Sequence, residues 1–153
     1  MKKAIFTAIT VLATTAFAAT EGYLTLTGVV DVRYEISLDN SSATVDIING
    51  ESGKLVATAT EVSNNLSGYK ILMSSARASK LMHTNLVNFV AYTVTYDGSA
   101  PITLTNADQQ VKPASALSGL TTDTSQIRVS FPGQPNALAG TYSDTITVKI
   151  AAP

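Results

Sequence analysis

The chain has 153 residues, of which 45% are hydrophobic and 14% are charged; it is long enough for one domain with its own core and too apolar to be disordered. Ten lysines and arginines against eleven aspartates and glutamates argue against a surface that neutralises nucleic-acid phosphates. Because there is no cysteine and one histidine, we predict no disulfide framework, no bound metal and no cofactor.

The first residues have the pattern of a secretory signal. A basic start, Met1-Lys2-Lys3, precedes an apolar run over residues 4–16, and Ala16-Phe17-Ala18 has the form of a cleavage site. A run of about 13 residues is shorter than the 20 or so that cross a bilayer. We therefore predict a signal peptide over residues 1–18, a secreted protein and no transmembrane segment.

Beyond this segment, apolar residues recur at every second position, the period of a half-buried strand. Residues 45–48 and 54–60 flank Asn49-Gly50, which predicts a hairpin, because both turn residues tolerate a positive φ. Residues 113–125 are rich in alanine, serine and threonine and predict a long irregular connection. Residues 80–85 predict at most one helical turn. The other predicted strands are Gly68–Met73, Val90–Tyr96, Ile102–Leu104, Ile127–Phe131 and Thr141–Ile150.

Seven or eight strands separated by turn residues predict an all-β fold. The arrangement that we expect is a single immunoglobulin-like Greek-key sandwich of two sheets over residues 29–153. A closed barrel is the main alternative.

The N-terminal run is longer than one domain can use. Alternate positions from Leu24 through Leu26, Gly28 and Val30 to Leu38 are mostly apolar. Fifteen extended residues span roughly 50 Å, whereas strands in a sandwich usually have about 3 to 10 residues. Either the run bends at Gly28 and crosses between the sheets of its own domain, or residues 20–28 leave the domain and complete a sheet of another copy. The sequence leaves both open.

The C-terminal segment resembles a known family. Residues 139–148, Ala-Gly-Thr-Tyr-Ser-Asp-Thr-Ile-Thr-Val, are similar to the last strand of the spore coat protein U family, the archaic chaperone–usher pilin subunits. The opening alternating strand, Gly68-Tyr69-Lys70-Ile71 and residues 91–98 follow in the family's order. The resemblance implies an incomplete sandwich whose missing strand comes first from a periplasmic chaperone and then from the next subunit.

Carried onto this chain, the resemblance implies a donor strand over residues 20–28, within an N-terminal extension of residues 19–28, and a matching acceptor edge. The donor residues would be Leu24, Leu26 and Gly28, and the acceptor edge would be formed by Tyr142, Ile146, Val148 and Ile150. The implied partners are further copies of the chain, a periplasmic chaperone and an outer-membrane usher.

Catalytic patterns are weak, and we predict that the chain is not an enzyme. We expect His83 to lie in a solvated loop, and no Gly-x-Ser-x-Gly motif supports a serine hydrolase. The leading hypothesis is a structural subunit of a bacterial surface fibre or coat that polymerises by strand exchange. A monomeric extracellular or periplasmic binding module, using loops 76–87 and 105–125, is the alternative, and a hydrolase using His83 is the third.

Overall fold

The computed structural model describes residues 21–153, so the predicted signal peptide over residues 1–18 lies outside the described residues. These residues form two units, residues 21–30 and residues 31–153. Residues 21–33 belong to no strand. Nowhere in residues 21–153 is there a helix with the length and hydropathy to cross a membrane.

Ten strands occur in the described part of the chain, and they vary from two to fourteen residues. In chain order they are β1 (Tyr34–Leu38), β2 (Gly50–Ser63), β3 (Lys70–Ser75), β4 (Lys80–His83), β5 (Phe89–Ala91), β6 (Thr93–Tyr96), β7 (Gln109–Lys112), β8 (Thr121–Pro132), β9 (Tyr142–Ser143) and β10 (Ile146–Ala151).

The strands form three antiparallel sheets, in the orders β1-β2-β8-β6, β10-β3-β7 and β5-β4-β9. Along the chain the third sheet continues from the second through β3–β4 and β9–β10, and it continues into the first through β5–β6. The predicted all-β sandwich is therefore confirmed. The strand count exceeds the expected seven or eight because two predicted strands are interrupted, one at Tyr92 and one at Asp144 and Thr145, and because β4 and β7 were not predicted. The strand predicted over residues 102–104 is wrong, since Ile102 makes only an isolated bridge to Val94.

One hydrophobic core lies between the layers and receives side chains from all three sheets. As the alternation predicts, one face of each central strand is buried while the other is more exposed. Removing these side chains from water supplies the main stabilisation of a chain without disulfides. The residues with the most buried apolar side chains are Ala59, Ile71, Met73, Val94, Tyr96, Leu104 and Ile127.

The predicted hairpin around Asn49-Gly50 is wrong. Residues 45–49 form no strand, and β2 begins at Gly50 and pairs with β1 and β8. The Asp46 carboxylate accepts hydrogen bonds from the backbone N–H of Ile48 at 3.0 Å and of Asn49 at 3.1 Å. These local bonds favour a turn over a strand.

Two further expectations are corrected. The irregular connection predicted over residues 113–125 ends early, because β8 already begins at Thr121. Residues 80–83 form β4 rather than a helical turn, and His83 is buried, with 7% of its surface exposed, rather than solvated in a loop. In both places the backbone pairs with a strand that is distant in sequence, which local composition does not reveal.

A buried polar cluster joins the first sheet to β7. The Glu61 carboxylate of β2 is fully buried and lies 2.7 Å from Lys112 Nζ of β7. Tyr69 donates a hydrogen bond to Glu61 Oε2 at 2.6 Å, and Tyr96 donates to Oε1. Burial by itself raises the pKa of Glu61, but the hydrogen bonds from Lys112, Tyr69 and Tyr96 outweigh it and hold the pKa below 4.5.

Candidate strand-accepting groove

The last two strands leave one long edge unpaired. β10 is the outer strand of the second sheet, and β9 is the outer strand of the third. Consequently residues 142–151 pair on one side only, with β4 and β3. Such an edge presents unpaired N–H and C=O groups and is a template for another strand.

Alternate side chains of this edge face the interior. Tyr142, Ile146, Val148 and Ile150 are half-buried and pack against the core, whereas Thr145, Thr147 and Lys149 are exposed. These four apolar residues are the ones that the sequence assigned to an acceptor edge. The structure brings them onto one face of one edge.

An apolar groove of about 620 Å³ lies along the same edge. One wall is formed by residues 140–146 and Val148, and the other by residues 40–45 together with Leu38. The groove is also lined by the inner faces of β2 and β8, through the side chains of Val56, Ala57, Ile127, Val129 and Phe131. Clefts of this size that are lined mainly by apolar groups are the usual form of a binding site.

The opposite wall also has free backbone groups. In the described structure, residues 40–45 belong to no strand and make no backbone–backbone hydrogen bond. The segment is anchored just before it begins, where Asp39 Oδ1 accepts a hydrogen bond from the backbone N–H of Thr58 at 2.7 Å. No function is predicted for residues 40–45 from the sequence, because their serines, threonine and alanine show no strong pattern.

Asp144 occupies the one charged position on the inner face of the acceptor edge. Its Oδ2 accepts hydrogen bonds from Ser75 Oγ at 2.6 Å and from Tyr92 OH at 2.9 Å. Its Oδ1 accepts from the backbone N–H of Arg77 at 3.0 Å and of Thr145 at 2.7 Å. These bonds fix the interruption between β9 and β10, and burial, followed by the bond to Asp144, raises the pKa of Tyr92.

The lone histidine fixes the start of the same edge. Asn85 donates its backbone N–H to His83 Nδ1 at 3.1 Å, so the other ring nitrogen, Nε2, carries the hydrogen that points to Ala139 O at 3.2 Å. The His83 and Tyr142 rings lie with their centroids 4.9 Å apart. Gly140 passes so close that a Cβ there would run into His83 Nε2. In residues 21–153, His83 makes no hydrogen bond to a serine or a carboxylate, so it is not arranged as the base of a Ser-His-Asp triad.

The predicted donor residues lie in a segment that forms no strand. Leu24 and Leu26 are 84% and 86% exposed. Tyr23, Val29 and Val30 are exposed to a similar degree, and a Cβ at Gly28 would meet no atom within 4 Å. A contiguous exposed apolar segment of this kind is typical of an interaction site.

No protein-family model matches this chain, and no curated protein matches it significantly. Solved structures that are similar to it include the CooA pilin subunit from enterotoxigenic Escherichia coli, with 12% identity, a TM-score of 0.40, and coverage of 75% of this chain and 86% of that chain. Another is the E. coli Hda pilus minor tip subunit HdaB, with 10% identity, a TM-score of 0.36, and coverage of 76% of this chain and 79% of that chain. Likenesses at these TM-scores do not assign a fold or a function to this chain.

Proposed function

We propose that this chain is a structural subunit of a bacterial surface fibre or coat, in which each copy receives residues 20–28 of another copy as an added strand. The observation that carries the proposal is the unpaired edge of β9 and β10 beside an apolar groove. The exposed run at residues 23–30 supplies a matching segment in the same chain.

The energetics of strand addition support this proposal. A strand added to an edge gains main-chain hydrogen bonds along its length, and its alternate side chains enter pockets. Burying Leu24 and Leu26, which are now almost fully exposed, would contribute roughly 1.5 to 3 kcal/mol each. Nine residues extend about 30 Å, which matches the nine residues from Tyr142 to Ile150.

Given the signal peptide predicted over residues 1–18, we propose that assembly takes place outside the cytoplasm. Until a second copy binds, the subunit would be prone to aggregation, because its open edge and apolar groove can pair non-specifically with other chains. A periplasmic chaperone that covers this edge in transit, and an outer-membrane usher that exchanges it, are the partners that we propose. The fibre would then be displayed on the cell surface.

The test compares the chain that begins at residue 19 with a variant that lacks residues 19–27, each purified and sized over a range of concentrations. We expect the longer chain to form concentration-dependent polymers and the shorter one to remain monomeric. A peptide of residues 20–30 should bind the shorter variant with one-to-one stoichiometry. The matched control peptide carries Leu24→Asp and Leu26→Asp and should not bind.

Equal polymerisation of the two chains would contradict strand donation. So would a compact monomer at every concentration whose residues 20–28 are protected from hydrogen exchange. The second result would favour the binding-module hypothesis.

A further inference from the structure

The inner face of the acceptor edge is apolar except at one point. From Tyr142 to Ile150 every second residue faces inward, and Asp144 interrupts this apolar series. Both oxygens of Asp144 are already bonded to Ser75, Tyr92 and two backbone N–H groups. An incoming side chain at this point would cover a charge without offering it a new hydrogen bond, which is unfavourable.

The apolar alternation of residues 24–30, which would be donated, is also interrupted once. Among its alternate positions, Leu24, Leu26 and Val30 are apolar, whereas Gly28 has no side chain. We infer that the donated strand pairs antiparallel with the β9–β10 edge in the register that places Gly28 beside Asp144; this inference rests on the proposed function. The resulting pairs are Gly22 with Ile150, Leu24 with Val148, Leu26 with Ile146, Gly28 with Asp144 and Val30 with Tyr142. In this register the paired strand extends to Val30, two residues beyond the end of the proposed donor segment 20–28.

The neighbouring registers fit less well. A shift of two residues in one direction places Leu26 beside Asp144, and a shift in the other direction places Val30 there. Each puts a branched apolar side chain against the carboxylate. A shift of one residue turns the whole apolar set to the other face.

The exposed faces of the two strands agree with the same register. It places Thr25 beside Thr147 and Thr27 beside Thr145, and cross-strand threonine pairs are favourable. A shift of two residues also gives such pairs, Thr25 with Thr145 and Thr27 with Ser143, so the outer face is compatible with this register and the inner face selects it.

The antiparallel direction of the donated strand follows from where β1 of the donating copy begins. In a parallel strand with Gly28 beside Asp144, Val32 and Tyr34 would have to reach Val148 and Ile150. Tyr34 is already the first residue of β1 and pairs with Ser63, so it is not free. Every ladder within the described residues is antiparallel, and antiparallel pairing is slightly more stable per residue.

The test uses full chains, which contain no cysteine of their own. A Thr147→Cys chain is mixed in turn with Tyr23→Cys, Thr25→Cys and Thr27→Cys chains, oxidised, and separated on a non-reducing gel. We expect the Thr25→Cys chain to form the mixed dimer in the largest yield. Each variant oxidised alone is the background control.

The outcomes separate the register from the proposed function. If Tyr23→Cys or Thr27→Cys gives the larger yield, strand donation stands and the register is wrong. If none of the three couples to Thr147→Cys while the chains still assemble, both are wrong.

A second measurement does not depend on disulfide geometry. The Gly28→Leu substitution in a peptide of residues 20–30 should weaken its binding to the variant that lacks residues 19–27 by about tenfold or more. The reason is that the new side chain would cover Asp144. Gly22→Leu is the matched control and should not weaken binding, since its neighbour is Ile150. Equal effects of the two substitutions would overturn the register.

Discussion

At the scale of single residues, the buried carboxylate of Glu61 connects the first sheet to β7. Glu61 is fully buried, and its carboxylate is held by the ammonium of Lys112 in β7 and by the phenol groups of Tyr96 in β6 and of Tyr69, the residue directly before β3. Burial, followed by the hydrogen bond to Glu61, raises the pKa of Tyr69 and of Tyr96, which favours the protonated phenols that donate to Glu61. A buried charge is tolerated only when it is paired in this way.

Glu61→Gln should lower the free energy of unfolding by about 3 kcal/mol at pH 7, because the substitution leaves Lys112, whose side chain is 25% exposed, without its buried partner. Urea denaturation measures this loss. The matched control is Asp108→Asn, which breaks an ion pair between Asp108 and Lys149 on the surface and should change stability little. Equal effects of the two substitutions would contradict the role assigned to Glu61.

The contribution of the Glu61 carboxylate to stability should depend on pH. Its pKa in the folded protein lies below 4.5, so its contribution to stability is present above that pH and is lost as the pH falls through the folded value. The stability of the native chain and of the Glu61→Gln variant should therefore converge in acid. A difference that is constant from pH 7 to pH 3 would contradict this assignment.

At the scale of elements, the edge formed by β9 and β10 is held in place by contacts just before β9 and between the two strands. β9 pairs with β4, and β10 pairs with β3, and the change of partner occurs at Asp144 and Thr145. His83 and Gly140 fix the chain before this point, and Asp144 fixes it at this point. The free edge is therefore supported from its paired side, which leaves its other side open for a further strand.

Gly140→Ala should destabilise the β9 end of the groove, because its Cβ would run into the His83 ring and because Gly140 has a φ of 149°. We expect a lower melting temperature and faster hydrogen exchange in β9 and β4. Gly119→Ala is the control, since a Cβ there meets nothing within 4 Å. A Gly140→Ala protein as stable as the control would show that the His83 contact is not needed.

At the scale of the whole molecule, a sandwich with an open edge would gain stability from an added strand. The groove and the edge are properties of residues 31–153, whereas the exposed apolar run lies mostly in residues 21–30. A strand supplied by a second copy would add its burial energy to that of the core, so the stability of the subunit would depend on its concentration.

Moving residues 20–30 from the front of the chain to a position after Pro153, through a short glycine-serine linker, should make the protein complete by itself. With Leu24 and Leu26 buried, we expect a monomer that is more stable by about 3 to 6 kcal/mol. Calorimetry and size-exclusion chromatography measure the two effects. The same variant with Leu24→Asp and Leu26→Asp should gain nothing; equal melting temperatures for both would speak against the groove as a strand site.

Local sequence pattern determined the fold class and the buried faces. Strict alternation at Tyr69, Ile71 and Met73, and again at Val90 to Tyr96, predicted residues that are buried in the structure. The alternation is a direct consequence of strand geometry, in which neighbouring side chains point to opposite faces. For the same reason, the sequence alone predicts which residues of the last strand face the interior.

Only the tertiary structure decided how the strands are partnered. The burial of His83 and the start of β8 at Thr121 depend on packing and pairing with strands that are distant in sequence, which local composition does not encode. The same is true of the groove, because it is formed by β2, β8, residues 40–45 and the last edge, which are far apart in sequence. The alternation specifies which side of a strand is apolar, but which neighbour covers that side is settled by the packing of the whole chain.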